Sequence, residues 1–385
     1  MRRRMKPTAF VSVLLVIQSV AGAQTKPLNI LRSGVVNDQV VDAVTPGGLV
    51  KTESGDLITT FVDKGDSAAG SRCYFVRSTD AGKSWSGPYL VVEPTDEHEG
   101  VYTELAKLPD NRLLMLVIRI WHRDSSLKGV FGYRESTIEL LLSSDEGQTF
   151  RKAGFLDTPK KSLTSTTGAL YQLGNGDLII PAYAYPSQQP PQDGYQYGSG
   201  FFRSSDGGKT WGKMEVAFAD PPSANETRQG FNEAAFAVRN DGIVIAYARV
   251  DVHKGDEFRL NRMWRCQSSD YGKTWTKPVE TEITGISPMI SRLPSGQFVL
   301  LCGVRDSPVM RRTTSLFTSS DGIEWSYRGH PHYSRTGGKP WNSATGGSQA
   351  MVSMGGNRLY VVFYAADEQL PGRNRTYIDG CLLEL

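Results

Sequence analysis

Five near-copies of one phrase punctuate the chain: STDAGKSW from Ser78, SSDEGQTF from Ser143, SSDGGKTW from Ser204, SSDYGKTW from Ser268 and a shortened SSDGIEW from Ser319. Their aspartates, Asp80, Asp145, Asp206, Asp270 and Asp321, stand 65, 61, 64 and 51 residues apart. That period is too long for a solenoid unit and suits one elaborated four-stranded propeller blade. In each copy a Ser/Asp pair can bond its own turn backbone, and Gly82, Gly147, Gly208 or Gly272 supplies a residue tolerant of positive φ. The closing ring of Trp85, Phe150, Trp211, Trp275 or Trp325 is expected to pack between neighbouring blades. A carboxylate repeated at a tight turn in every blade reads as scaffold. It is expected to satisfy buried turn amides rather than to catalyse.

The ends of the chain fit one closed ring. Arg2, Arg3, Arg4 and Lys6 precede an apolar run from Ala9 to Ile17, and Ala21-Gly22-Ala23 offers a cleavage site before Gln24. This pattern predicts a secretory signal peptide over residues 1–23 and a secreted or periplasmic mature domain over 24–385. No later segment reaches the roughly 18 to 20 apolar residues of a membrane helix, so no integral membrane segment is expected. Without residues 1–23 the net charge moves from +3 to −1, with 39 basic residues against 40 acidic. No basic run or stripe is left to bind a polyanion, which argues against a nucleic-acid partner.

The spacing of Cys73, Cys266, Cys302 and Cys381 matches no zinc pattern, and neither metal nor cofactor is expected. In strand-like text these residues read as small buried hydrophobes in preference to a disulfide framework.

The chain is expected to be all-β, a six-bladed β-propeller of four-stranded antiparallel blades. Five boxes mark five blades, and residues 326–385 leave room for a sixth without a box. Its strands are legible at Arg358 to Ala365 and Thr376 to Leu385. A strand near Leu28 to Val36 is expected to close the ring and remove open edges. Inner hairpins are read from Gly47, Thr103, Gly168, Asn232 and Ser287, each an apolar strand, a Gly or Asn turn and a second apolar strand. The start of the first strand and the end of the second point to the central mouth, where propellers bind ligands. Glu104 precedes Arg119 by 15 residues, Glu233 precedes Arg249 by 16, and Arg305 ends the fifth hairpin. Arginine suits a bidentate grip on a carboxylate, so Arg119, Arg249 and Arg305 are the substrate-binding candidates. The competing reading pairs each Glu with the Arg of its own hairpin. Trp121 and His122, with Tyr183, Tyr185, Tyr195 and Tyr197, add rings on which sugars stack, or ordinary packing.

The repeated box resembles the Asp-box (BNR) motif of sialidase-like propellers from about Ser78 to Trp325. The resemblance implies that the boxes lie on the face opposite the site. It also aligns Glu233, Arg249 and Arg305 with the family's glutamate and its second and third arginines, and Asp66 with the acid/base aspartate. Asp63 is the weaker match for that role.

Two departures accompany these agreements. VTPGGLV, at Val44 to Val50, carries no arginine where the family has its first, and no tyrosine stands near Ser348 where the family has its nucleophile. Arg119 is a possible third basic arm, and Tyr102, Tyr171 and Tyr364 are tyrosines that can approach the mouth. Alternatively Glu104 and Glu233 form a carboxylate pair, as glycoside hydrolysis requires, which resembles the exo-arabinanase relatives. The expected function is an exported exo-glycoside hydrolase of a terminal, carboxylate-bearing sugar, with Asp66, Glu104 and Glu233 as catalytic candidates. The alternative is a non-catalytic glycan-binding propeller that has lost the nucleophile.

Overall fold

The structure, a computed structural model, describes residues 28–65, 68–122, 134–160, 162–167, 169–186, 198–219, 231–250, 262–304, 313–331, 349–366, 371 and 375–385. It forms six antiparallel sheets arranged as a six-bladed propeller. In chain order the innermost strands are Leu49–Lys51, Glu99–Lys107, Ser162–Thr166, Phe231–Val238, Ile286–Arg292 and Gln349–Gly355. Each blade packs on the next, and blade 6 packs on blade 1 through Gln349–Gly355 and Leu49–Lys51. Ring closure uses both termini. Asn29–Asn37 lies antiparallel to Thr376–Glu384, with Asn29 opposite Glu384 and Gly34 opposite Gly380. The expected N-terminal strand is therefore the outermost strand of blade 6: it pairs with Thr376–Glu384 along one edge and forms the outer edge of the sheet with the other, so it ties the ring together without removing the open edge.

The second strands are almost wholly apolar because both of their faces are covered by neighbouring blades. Leu113 to Ile118 in blade 2 and Val244 to Ala248 in blade 4 are all buried. In blade 3 the inner strand begins at Ser162, earlier than the hairpin text from Gly168 suggests, and a short piece at Tyr171–Gln172 resumes the pairing. The four cysteines are buried and free, as small hydrophobes. Burial pushes the Cys302 thiol up to about 12, which keeps it protonated and unreactive. No helix of the described residues is long and apolar enough to cross a membrane.

Each box closes in the way its letters require. In the first, Ser78 Oγ takes the buried Gly82 N–H at 2.8 Å, while Asp80 Oδ1 accepts the Lys83 and Ser84 N–H groups, both at 2.9 Å. Ser84 Oγ donates to Asp80 Oδ2 at 2.6 Å. Gly82, Gly147, Gly208 and Gly272 have φ between +81° and +83°. One expectation needs correcting: the amides that Asp80 gathers are exposed, and the buried one belongs to the serine. The rings do cross between blades. Trp85 packs on Tyr360 of blade 6 with centroids 5.9 Å apart, and Trp325 Nε1 donates at 2.9 Å to Tyr247 Oη of blade 4.

Hydrogen bonds from the Ser84 hydroxyl and amide hold the Asp80 carboxyl well below the usual range, and the Thr149, Thr210 and Thr274 hydroxyls do the same for Asp145, Asp206 and Asp270. A depressed carboxyl contributes stability that is present above its unfolded value, about 4, and lost as pH falls toward the folded value. Asp80→Ala is therefore expected to lower Tm at pH 7, with the gap from the parent protein narrowing below about pH 4. Thermal melts across that range decide it, and a gap that stays constant with pH would remove the carboxylate's charge from the explanation.

Candidate functional site

Antiparallel order puts the starts of the innermost strands and the ends of the second strands at one end of the ring. The box turns, which follow the third strands, are at the other. Glu233 starts one side of the mouth. It lies near the beginning of Phe231–Val238, and Arg249, near the end of Val244–Val250, reaches it with Nη1 3.0 Å from Oε2. The next blade adds two more donors: Ser287 N–H at 2.7 Å to Oε2 and Ser287 Oγ at 3.0 Å to Oε1. Ser287 has φ 47°, in the left-handed region, which turns both its amide and its hydroxyl onto the carboxylate. Blade 6 supports this arrangement, because Gln349 Nε2 donates to the Ser287 carbonyl. Gln349 is 6% exposed, and its Oε1 meets no partner among the described residues.

Glu104 comes from blade 2, two blades round the ring from Glu233. It is buried in Glu99–Lys107 and accepts from Thr166 Oγ1 of blade 3. On the same face, Tyr102 Oη meets Ser165 Oγ, and Ser165 is hydrogen-bonded in turn to Tyr183, its register partner on the adjacent strand. Burial first, and then the charges of Tyr183, Glu104 and Glu233, hold the Tyr102 phenol far above its ordinary value. Tyr183 is raised by burial, then by Glu233, and by Glu104 to a lesser degree, against the lowering effects of Ser165 and Arg249. The charges of two carboxylates, from blades 2 and 4, are therefore felt by the same two phenols.

Arg119 is differently placed. The register sets it opposite Val101 and sets Glu104 opposite Leu116. Positions 101 and 104 differ by an odd number, so Arg119 and Glu104 project from opposite faces of the blade. Arg119 instead reaches Glu99, with Nη1 3.0 Å from Oε1. Glu99 is fully buried and also accepts from the Thr95 amide and, at 2.7 Å, from the Thr95 hydroxyl. Burial works against its ionisation, but Thr95 and Arg119 outweigh it and hold the carboxyl below its usual range. Glu99→Ala is expected to cost about 3 kcal/mol, near the low end for a broken buried pair because the Arg119 side chain is 21% exposed. Chemical denaturation measures this, and Arg119→Met in the Glu99→Ala background should recover part of the loss.

The remaining candidates divide. Asp66, Arg305, Tyr195, Tyr197 and Ser348 lie outside the described residues, as does the proposed signal peptide. Asp63 follows Leu57–Val62 at the mouth end and accepts the Arg72 N–H at 2.8 Å. Burial nevertheless pushes its carboxyl above the ordinary value, against the Arg72 amide and the Lys64 and Arg72 charges. Tyr171 is not at the mouth. It lines a cavity of about 650 Å³ beside the hairpin turns at the box end, with Phe236, Ile290 and Arg292. Tyr364 is buried in Arg358–Ala366.

Sequence reasoning missed Glu99, Ser287 and Gln349 as mouth residues. Glu99 was discoverable, since the strand pattern of GVYTEL runs back from Thr103 to it. Ser287 was not, because its role depends on a backbone angle. Gln349 adjoins the position where the sialidase resemblance expects a tyrosine, and it brings an amide there.

Comparison with known proteins agrees with this geometry. Residues 77–330 match the BNR repeat-like domain family. No curated protein matches the chain. Among solved structures, a protein of unknown function from Dyadobacter fermentans is similar at 20% identity and a TM-score of 0.71, over 94% of this chain and 100% of that one. Trypanosoma rangeli sialidase in complex with sialic acid is similar at 15% identity and a TM-score of 0.59, over 94% of this chain but 57% of its own. Penicillium chrysogenum alpha-L-arabinanase complexed with arabinobiose is similar at 17% identity and a TM-score of 0.57, over 94% and 99%. At these identities the likeness establishes the fold.

Proposed function

This chain belongs to the BNR repeat-like domain family, with a sialidase-like propeller, and from that premise we propose that it is an exported exo-glycoside hydrolase acting on a terminal sugar at the mouth. The observation that carries the proposal is that Glu104 and Glu233, on the inner strands of blades 2 and 4, lie near enough to Tyr102 and Tyr183 for their charges to raise both phenols. Paired carboxylates in one polar mouth are the general means of cleaving a glycosidic bond. The sialidase and the arabinanase supply precedent for sugar ligands on this fold. Glu233 and Glu104 are the two catalytic carboxylates, and Asp66 and Asp63, the latter with its carboxyl raised by burial, are the candidates for a further proton donor.

For the sugar, we propose a carboxylate-bearing residue gripped by Arg249 and Arg305. One observation favours a neutral sugar as the second reading: Arg119 is engaged by buried Glu99, which leaves the clamp an arm short. Export follows from the basic, apolar and small-residue pattern at the N-terminus.

A panel of sialosides, uronosides and arabinosides, followed by detection of released sugar, tests the proposal. Release from an acidic glycoside, lost in Arg249→Lys, supports the first reading. Release from arabinosides alone selects the second. Binding without release would make the propeller a lectin and end the hydrolase reading.

A further inference from the structure

The hold on Glu233 is assembled from three consecutive blades, and its centre is a serine in a conformation that serine seldom adopts. At φ 47° Ser287 sits in the left-handed region, where a Cβ crowds the following carbonyl and where strain persists only if the surroundings impose it. Those surroundings are visible. Gln349 of blade 6 donates to the Ser287 carbonyl, and the Ser287 amide and hydroxyl both terminate on Glu233, at 2.7 and 3.0 Å. An extended residue at 287 presents its N–H and side chain in different directions. The left-handed turn brings them to one carboxylate, and Arg249 Nη1 completes the set at 3.0 Å.

We infer that Ser287 is a positioning residue, whose left-handed backbone, braced by Gln349, fixes the Glu233 carboxylate in one orientation. The inference rests on the hydrolase reading for its consequence: a carboxylate gripped by three donors serves as base or as a stabiliser of positive charge, which leaves proton donation to another group. Glu104 and Asp63 are the residues of the described mouth available for that. The role is separable from simple structural support, because glycine accepts the backbone angle that serine is forced into. Ser287→Gly removes the hydroxyl donor and the strain together, and Ser287→Ala removes the donor and keeps the strain.

The test follows the Glu233 carboxyl by ¹³C NMR in protein labelled at glutamate side chains, with its resonance assigned by its loss in Glu233→Gln. Both Ser287 variants are expected to raise the Glu233 midpoint by about one pH unit, the shift set by losing one hydrogen bond to a charged group. Ser287→Gly should melt no lower than Ser287→Ala. Where sugar release is detected, the acid limb of its pH profile should move upward by the same amount. An unmoved Glu233 midpoint in Ser287→Gly overturns the inference, as does turnover that falls without a shift of the acid limb. Failure of the hydrolase reading shows separately, as absence of sugar release from the parent protein, and leaves the NMR result to decide the role of Ser287.

Discussion

Gly47→Ala is expected to destabilise the protein by about 3 kcal/mol or more, at or beyond the upper end of the range for overpacking a core. A Cβ on Gly47 would stand 1.7 Å from the Thr103 carbonyl oxygen and 2.8 Å from Thr60 Oγ1. The nearest obstacle is backbone on the inner strand of blade 2, so no rotamer change relieves it. Gly47 N–H donates to the Thr60 carbonyl at 2.9 Å and the Gly47 carbonyl accepts from Leu105 N–H at 2.6 Å, which ties blade 1 to blade 2 at this point. Equilibrium denaturation measures the loss, and a Tm within about 2 °C of the parent would show that the two blades are not in close register there.

Glu233→Gln is expected to reduce sugar release by about 10² to 10⁴-fold, the usual contribution of a positioned acid or base, while the fold is preserved. Glutamine keeps the shape: with its oxygen toward Arg249 Nη1 and the Ser287 amide, its NH₂ faces the Ser287 hydroxyl, which can accept. Ligand affinity is therefore expected to be largely kept. Glu104→Gln should show a comparable loss of turnover. Steady-state kinetics on the glycoside that the panel identifies separates these effects, since removal of an interaction made in the transition state lowers kcat, and removal of uniform binding raises KM. A Glu233→Gln protein with full turnover would exclude Glu233 from the chemistry.

The boxes were legible because each is a local device. Ser78, Asp80, Gly82 and Ser84 lie within seven residues and bond one another, so the repeated letters carry their own geometry. The candidate site was legible only in part. Glu233 and Arg249 stand near the two ends of one hairpin, and their 3.0 Å contact is the one that the competing reading, each Glu paired with the Arg of its own hairpin, describes. The same logic applied to Glu104 and Arg119 failed by one residue. A spacing of 15 with this register sends the two side chains to opposite faces, and the partner of Arg119 is Glu99, the first residue of the same inner strand.

The sequence by itself determined the all-β class, the number of blades and the use of an N-terminal strand to close the ring, because all of these follow from period, strand alternation and turn chemistry within short windows. Tertiary structure alone decided which groups meet at the mouth. Ser287 reaches Glu233 across 54 residues, and Gln349 reaches Ser287 across 62. Those contacts depend on how far each blade is rotated about the ring, on strand parity and on a positive φ at a serine. None of the three leaves a mark in the local pattern of residues, since each arises only when six independently patterned sheets are packed into one circle.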